Sequence, residues 1–209
     1  MSVSFRTVLR HHLSALRMLL VFTVITGVCY PLVITGIAQV AFPSEANGSL
    51  ISDHGEPVGS RLLGQNFDLP RRGGRPGGPD PRWFQPRPSA AGERGYDPTS
   101  SGASNLGPNN PVLIRMIKQR RAAVAAFDGV HPSHVPADAL TASGSGLDPH
   151  ISRAYANQQV ERVARARGLS PVVVRKLVAD RAAGWSGGFL GQGQIVNVLE
   201  LNQALVGVG

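Results

Sequence analysis

Gly184-Trp185-Ser186-Gly187-Gly188 has the Gly-x-Ser-x-Gly spacing that lifts a nucleophilic serine onto a strand-to-helix turn. That chemistry needs a histidine later in the chain to take the serine proton. The last histidine is His150, so the pentapeptide reads as a glycine-rich turn following a helix. His131-Pro132-Ser133-His134, flanked by Asp128 and Asp138, sets two imidazoles three residues apart, as a pair of zinc ligands on one helical turn would be. Pro132 and Pro136 make this stretch a loop instead, and no third strong ligand is placed by the sequence, so solvated histidines and no metal are expected. Only Lys118 and Lys176 occur, and neither follows a glycine or precedes Ser or Thr, which excludes a P-loop.

The stretch from Ala142 to Ser152 is more informative. Ser143, Gly144, Ser145 and Gly146 are small enough to bring backbone donors together ahead of Leu147-Asp148-Pro149-His150. Two readings stand side by side: a turn closed by an N-capping Asp148 with Pro149 at the first helical position, or a cradle for an anion or a partner's carbonyls in which Asp148 and His150 supply polar heads. Ala164, Gly168, Leu169, Ser170 and Val174 fall at helix-turn-helix spacing. Any two short helices packed across a glycine turn share it, and no nucleic-acid partner is expected, although the 209 residues carry a formal charge of +8.

These residues need a scaffold, and its first part is a membrane anchor. From Met18 to Ser44 there is no Asp, Glu, Lys or Arg. Roughly 24 helical residues at about 1.5 Å each reach about 36 Å, enough for a hydrocarbon core of about 30 Å. A cleaved signal peptide would use the small-x-small site at Gly36-Ile37-Ala38, but the apolar run exceeds the usual length of about 7 to 15 residues. Pro31 is the expected kink, with hydroxyls of Thr26 and Thr35 available to the freed backbone. Thr26, Gly27, Pro31, Thr35 and Gly36 are therefore candidate packing positions against other membrane helices. Arg6, Arg10 and Arg17 precede the run with no acid among them, which places the N-terminus in the cytoplasm. Residues 1–17 are then a cytoplasmic tail, 18–43 the transmembrane helix and 44–209 one extracytoplasmic domain. The lone Cys29 lies in the apolar run, so no internal disulfide is available.

In the domain, Leu50-Ile51 and Val58 to Leu63 read as strands around a turn at His54-Gly55-Glu56-Pro57. Residues 68–82, rich in Arg, Gly and Pro, read as a mobile basic loop. The stretch from Trp83 to Pro111 is poor in apolar groups and orders only if Trp83, Phe84, Tyr96 and Leu106 are clamped. Pro111 opens a helix through about Phe127. A second helix runs from Asp148 to Gly168, a third from Ser170-Pro171 to about Gly184, and Ile195 to Leu199 reads as a closing strand. Strands at both ends with helices between them give a mixed α/β (α+β) class.

Taken together, several strings resemble the C subunit of the Kdp-type potassium-transporting ATPase, a bacterial P-type pump. They are Tyr30 to Gly36, Asn47 to Ile51, Gly59-Ser60 with Leu63-Gly64-Gln65, Arg87-Pro88-Ser89-Ala90, Ser101 to Pro111, Thr141 to Ser152 and Val196 to Leu205. Ser-Asn-Leu-Gly-Pro and Ser-Gly-Leu-Asp-Pro-His-Ile-Ser are the most specific, because generic helix or strand pressure produces neither. The resemblance implies a non-catalytic accessory subunit in the bacterial plasma membrane, beside a potassium-translocating subunit and an ATP-hydrolysing P-type subunit. It also implies a role in raising the pump's ATP affinity, with no cofactor bound alone and ATP expected only in complex with the ATP-hydrolysing subunit. Arg87, Ser89, Asn105, Asn109, Asn110, Ser143, Ser145, Asp148 and His150 are then the candidate partner or nucleotide contacts. Loop 68–82 and Gly191-Gln192-Gly193-Gln194 depart from the family pattern. An alternative of another class is a membrane-tethered extracytoplasmic hydrolase using Ser186 or Ser145.

Overall fold

The computed structural model describes residues 5–70, 77–182 and 195–208. The chain forms two compact units, Met1–Ser49 and Leu50–Gly209.

The first unit is one apolar helix, Phe5–Ala41, of 37 residues, long and apolar enough to cross a membrane. It starts well before Met18, because Phe5 to Arg17 continue the helix through the arginine-bearing stretch. Helix α1 (Phe5–Val24) passes through a π-turn at Ile25–Cys29 into α2 (Tyr30–Ala41). The cause of the π-turn is Pro31, which lacks an N–H and would press its ring on the carbonyl one turn back. Widening that turn, so that Tyr30 N–H donates to Ile25 O, relieves the defect. Thr26 Oγ1 donates to Phe22 O at 2.7 Å, so one hydroxyl does bond backbone near the defect. Gly27 lies inside the π-turn, and Thr35 and Gly36 lie on α2. A short turn of helix, α3 (Pro43–Ala46), closes the unit.

The second unit mixes helices with two small antiparallel sheets. Strands β1 (Leu50–Asp53) and β2 (Glu56–Ser60) form the expected hairpin, but the turn is tighter, around His54-Gly55, with Glu56 and Pro57 already in β2, which ends at Ser60 and not Leu63. Helix α4 (Pro111–Asp128) begins at Asn110, whose side chain accepts from Val112 N–H, and stops at a left-handed Gly129. Strand β3 (His150–Ser152) feeds directly into α5 (Arg153–Arg167). Helix α6 (Pro171–Arg181) follows with Ser170 as its cap. Strand β4 (Ile195–Asn197) pairs with β3 and leads into α7 (Val198–Val206).

Two sequence expectations change here. Asp148 does not cap a helix: its Oδ1 accepts from His150 N–H, an Asx turn that sends the chain into β3. The helix cap is Ser152, whose Oγ accepts from Tyr155 N–H at 3.0 Å. Likewise Val198 and Leu199 are helical, not strand, because Asn197 Oδ1 accepts from both Leu199 and Glu200 N–H and starts α7.

The core lies where α5, α6 and α7 cover the β3–β4 pair. Ile151, Val160, Val163, Val174, Val178, Val196, Leu201 and Leu205 are wholly or almost wholly buried. Burying each such side chain stabilises by about 1.5–3 kcal/mol before entropy is counted. The hairpin is tied to α7 by Arg61–Glu200 at 2.6 Å and by Asn197 Nδ2 donating to Arg61 O at 2.8 Å.

Candidate functional site

The irregular stretch after residue 80 is ordered by side chains acting as strand partners. Asn202 on α7 accepts from Phe84 N–H and donates to Phe84 O, both at 2.9 Å. Gln159 on α5 does the same for Gln85, accepting at 2.6 Å and donating at 3.1 Å. Each amide satisfies a donor and an acceptor that would otherwise be buried unpaired. Arg162 donates to Pro81 O at 2.7 Å, Trp83 O at 2.9 Å and Asp128 Oδ1 at 2.8 Å. The guanidinium of Arg167 stacks on Trp83, 4.2 Å from its ring centre. With Phe84 fully buried, the clamping of the aromatics is explicit.

At its ends the basic stretch 68–82 is likewise tied down. Leu69 N–H donates to Gly78 O, Asp80 N–H donates to Phe67 O, and Arg82 holds Asp80 through two nitrogens. The Arg82 hydrogen bond keeps the Asp80 carboxyl below its ordinary range. Residues 71–76 lie outside the described residues.

From this base the chain carries Arg87, Ser89 and Tyr96 to the segment 141–150. Ser89 Oγ donates to Gly146 O at 2.6 Å while accepting from Ala91 and Tyr96 N–H, so one hydroxyl closes three backbone positions. Tyr96 OH donates to Arg87 O at 2.5 Å. Burial, then the Asp148 charge, pushes the Tyr96 phenol far above its ordinary value. Arg87 Nη1 donates to Asp148 Oδ2 at 3.1 Å, and His150 Nδ1 lies 3.0 Å from Asp148 Oδ1. Half-burial works to raise the Asp148 carboxyl, but the His150 hydrogen bonds and the fields of His150 and Arg87 outweigh it and hold it below the usual carboxylate range.

Ser145 O accepts from Gly102 N–H and Ser101 Oγ, and Ser145 Oγ accepts from Leu147 N–H. Ser143 Oγ lies 3.4 Å from Ser145 Oγ and accepts from Asp148 N–H. Gly146 is required here: its φ is +69°, and a Cβ would sit 2.7 Å from both Ala91 N and Gly102 O. Beside this knot lies a cleft of about 430 Å³, walled by Arg87, Tyr96, Arg120, Val124, Phe127 and Tyr155.

A family model described as K+-transporting ATPase, c chain, matches residues 12–206. The chain belongs to this family, KdpC. The potassium-transporting ATPase KdpC subunit of Kineococcus radiotolerans is 51% identical over 205 residues, covering 98% of this chain and 97% of that one. That of Sorangium cellulosum is 51% identical over 95% of this chain and 98% of its own. That of Methylococcus capsulatus is 48% identical over 94% and 97%.

In this KdpC-family chain the sequence-chosen residues separate into two groups. Arg87, Ser89, Ser143, Ser145, Asp148 and His150 come together in one network linking the two loops. Asn105, with φ +52°, and Asn109 lie exposed on the connecting loop, and Asn110 is spent on capping α4. His131 and His134 sit on an exposed 3-10 turn with ring centres 6.0 Å apart. Asp128 pairs with Arg162 and Asp138 accepts from Ser152, so neither joins the histidines. Among the described residues no cluster of His, Cys, Asp or Glu could hold a metal. Ser186 and Gly191 to Gln194 lie outside the described residues. Gln159, Arg162 and Asn202, the clamps, were missed. Their signal was a polar side chain on an otherwise apolar helix face, as with Gln159 four residues after Tyr155.

Proposed function

We propose that this chain is a non-catalytic accessory subunit of an ATP-driven potassium uptake complex, assembling and stabilising it. The helix Phe5–Ala41 crosses the plasma membrane once, with the N-terminus cytoplasmic because Arg6, Arg10 and Arg17 precede the apolar run. Thr26, Gly27, Pro31, Thr35 and Gly36 pack against the membrane helices of the pump, and the 50–209 domain caps the potassium-translocating subunit from outside. Any gain in the ATP affinity of the ATP-hydrolysing subunit is then transmitted through the anchor and that partner, since the domain lies across the membrane from cytoplasmic ATP.

Beyond family membership, one observation carries this reading. The polar groups of the 87–150 network are bonded to the chain's own loops and hold the two loops in one fixed arrangement, which supports a docking role over a catalytic one; the Ser145 hydroxyl is engaged with Leu147 N–H, and His150 Nδ1 faces Asp148. The chain purified from native membranes is expected to bring two larger membrane subunits with it. Isolation as a stable, partnerless monomer would overturn the proposal. Orientation is tested by Ser100→Cys in a Cys29→Ser background: a membrane-impermeant thiol reagent should label intact cells, and labelling only after lysis would contradict an outer domain.

A further inference from the structure

The cleft beside α4 carries a charge that no acidic side chain among the described residues neutralises. Arg120 is half-buried in its wall, and one of its N–H groups donates to Leu140 O at 3.0 Å. No acidic side chain among the described residues pairs with it. Burial strips hydration from this guanidinium and pushes its pKa below the ordinary value. Arg94 sits at the rim, while Arg87 is already committed to Asp148. Glu93 is the one acidic residue lining the cleft, so the lining is net positive.

The field of α4 adds to this. From Pro111 to Phe127 the helix carries Arg115, Lys118, Arg120 and Arg121 with no acid, and Arg115, Lys118 and Arg121 are exposed without ion pairs among the described residues. The remaining wall is mixed: Pro86, Pro88, Val124 and Phe127 form an apolar side, and Asn66, Gln85, Ser89 and the two tyrosines Tyr96 and Tyr155 add polar groups. At about 430 Å³ the cleft falls within the range of sites that enclose a bound group. A small inorganic anion would satisfy Arg120 and leave the apolar wall wet. A peptide with a carboxylate next to an apolar side chain satisfies both.

We propose that this cleft receives an acidic segment of another pump subunit, whose carboxylate pairs with Arg120 while a neighbouring apolar side chain packs on Val124 and Phe127. This rests on the pump-subunit reading above. A guanidinium held on a wall is suited to such a carboxylate, because its planar donors match two oxygens at once.

The test places p-benzoylphenylalanine at Ala123, an exposed residue of the cleft wall, in the intact complex purified from native membranes. Ultraviolet crosslinking is followed by mass-spectrometric mapping. The expected product joins Ala123 to one segment of another subunit that has Asp or Glu within a few residues. Arg120→Glu should lower its yield at least about tenfold, Arg115→Glu should leave it within about twofold, and reversing the identified acid to Arg should restore the yield in Arg120→Glu. Crosslinks only to lipid or nucleotide, crosslinks to a segment without acid, no crosslink in an intact complex, or failure of the charge swap would each overturn the proposal. Absence of the larger subunits from the purification would instead sink the pump-subunit reading itself.

Discussion

Asn202→Ala removes the clamp on Phe84 and leaves a buried N–H and a buried C=O without partners. Each stranded group costs about 1–3 kcal/mol, so the substitution should destabilise the domain by about 2–6 kcal/mol. Against a total stability of about 5–15 kcal/mol for a domain this is a large fraction. The assay is urea unfolding of the detergent-solubilised full chain, with Trp185→Phe so that Trp83, stacked on Arg167, reports. With a slope of about 2 kcal/mol/M, the midpoint should fall by about 1–3 M at unchanged slope. Asn109→Ala, on the exposed loop, should stay within about 0.5 kcal/mol of the parent. If Asn202→Ala behaves like Asn109→Ala, side-chain amides do not order the 83–86 stretch and the reasoning fails.

Gly146→Ala should cost about 2–5 kcal/mol, combining a left-handed backbone with a Cβ pressed on Ala91 N and Gly102 O. Gly168→Ala, also left-handed at φ +68° but with open space around its Cβ, should cost only about 1–2 kcal/mol, and equal losses in the same urea assay would refute the close-packing argument. The Asp148 carboxyl is held below its ordinary range, so its stabilisation is complete above the unfolded value of about 4 and is lost as pH falls through the folded value. Asp148→Asn should therefore flatten the loss of stability on acidification below about pH 4, and an unchanged acid slope would count against the Arg87–Asp148–His150 cluster. Pro31→Ala restores a backbone N–H and should let the π-turn revert to α-helix, rotating α2 against α1 by on the order of one residue, about 100°. Cysteine crosslinking along α2 to its membrane neighbours would show that rotation, and an unaltered pattern would mean that Pro31 does not set the π-turn.

Much of the local structure was legible because local chemistry decides it. Pro111 after Asn110 and Pro171 after Ser170 opened the helices where the sequence placed them, and Gly168 closed α5. The β1–β2 hairpin followed from His54-Gly55. What was misread had a local signal that a neighbour outweighed. Asp148-Pro149 looks like a helix start, but β3 pairing with β4 keeps the backbone extended until Ser152. Ile195 to Leu199 looks like one strand, but Asn197 ends it by capping α7. The candidate site was half legible. The strings that flag Arg87, Ser89 and 143–150 do converge, but Gln159, Arg162 and Asn202 hold their loop across 74 to 118 residues, a separation that no periodicity records. Arg120 stands in a run of basic residues along α4 that gives no local sign of its burial, which only the cleft beside it shows.

The most direct measurement is potassium-stimulated ATP hydrolysis by the reconstituted pump with and without this chain. Removal should abolish most of the stimulation, and adding back the wild-type chain should restore it, whereas a chain lacking residues 50–209 should not. Full stimulation by the larger subunits alone would contradict the assembly role, and hydrolysis by this chain alone would contradict its being non-catalytic.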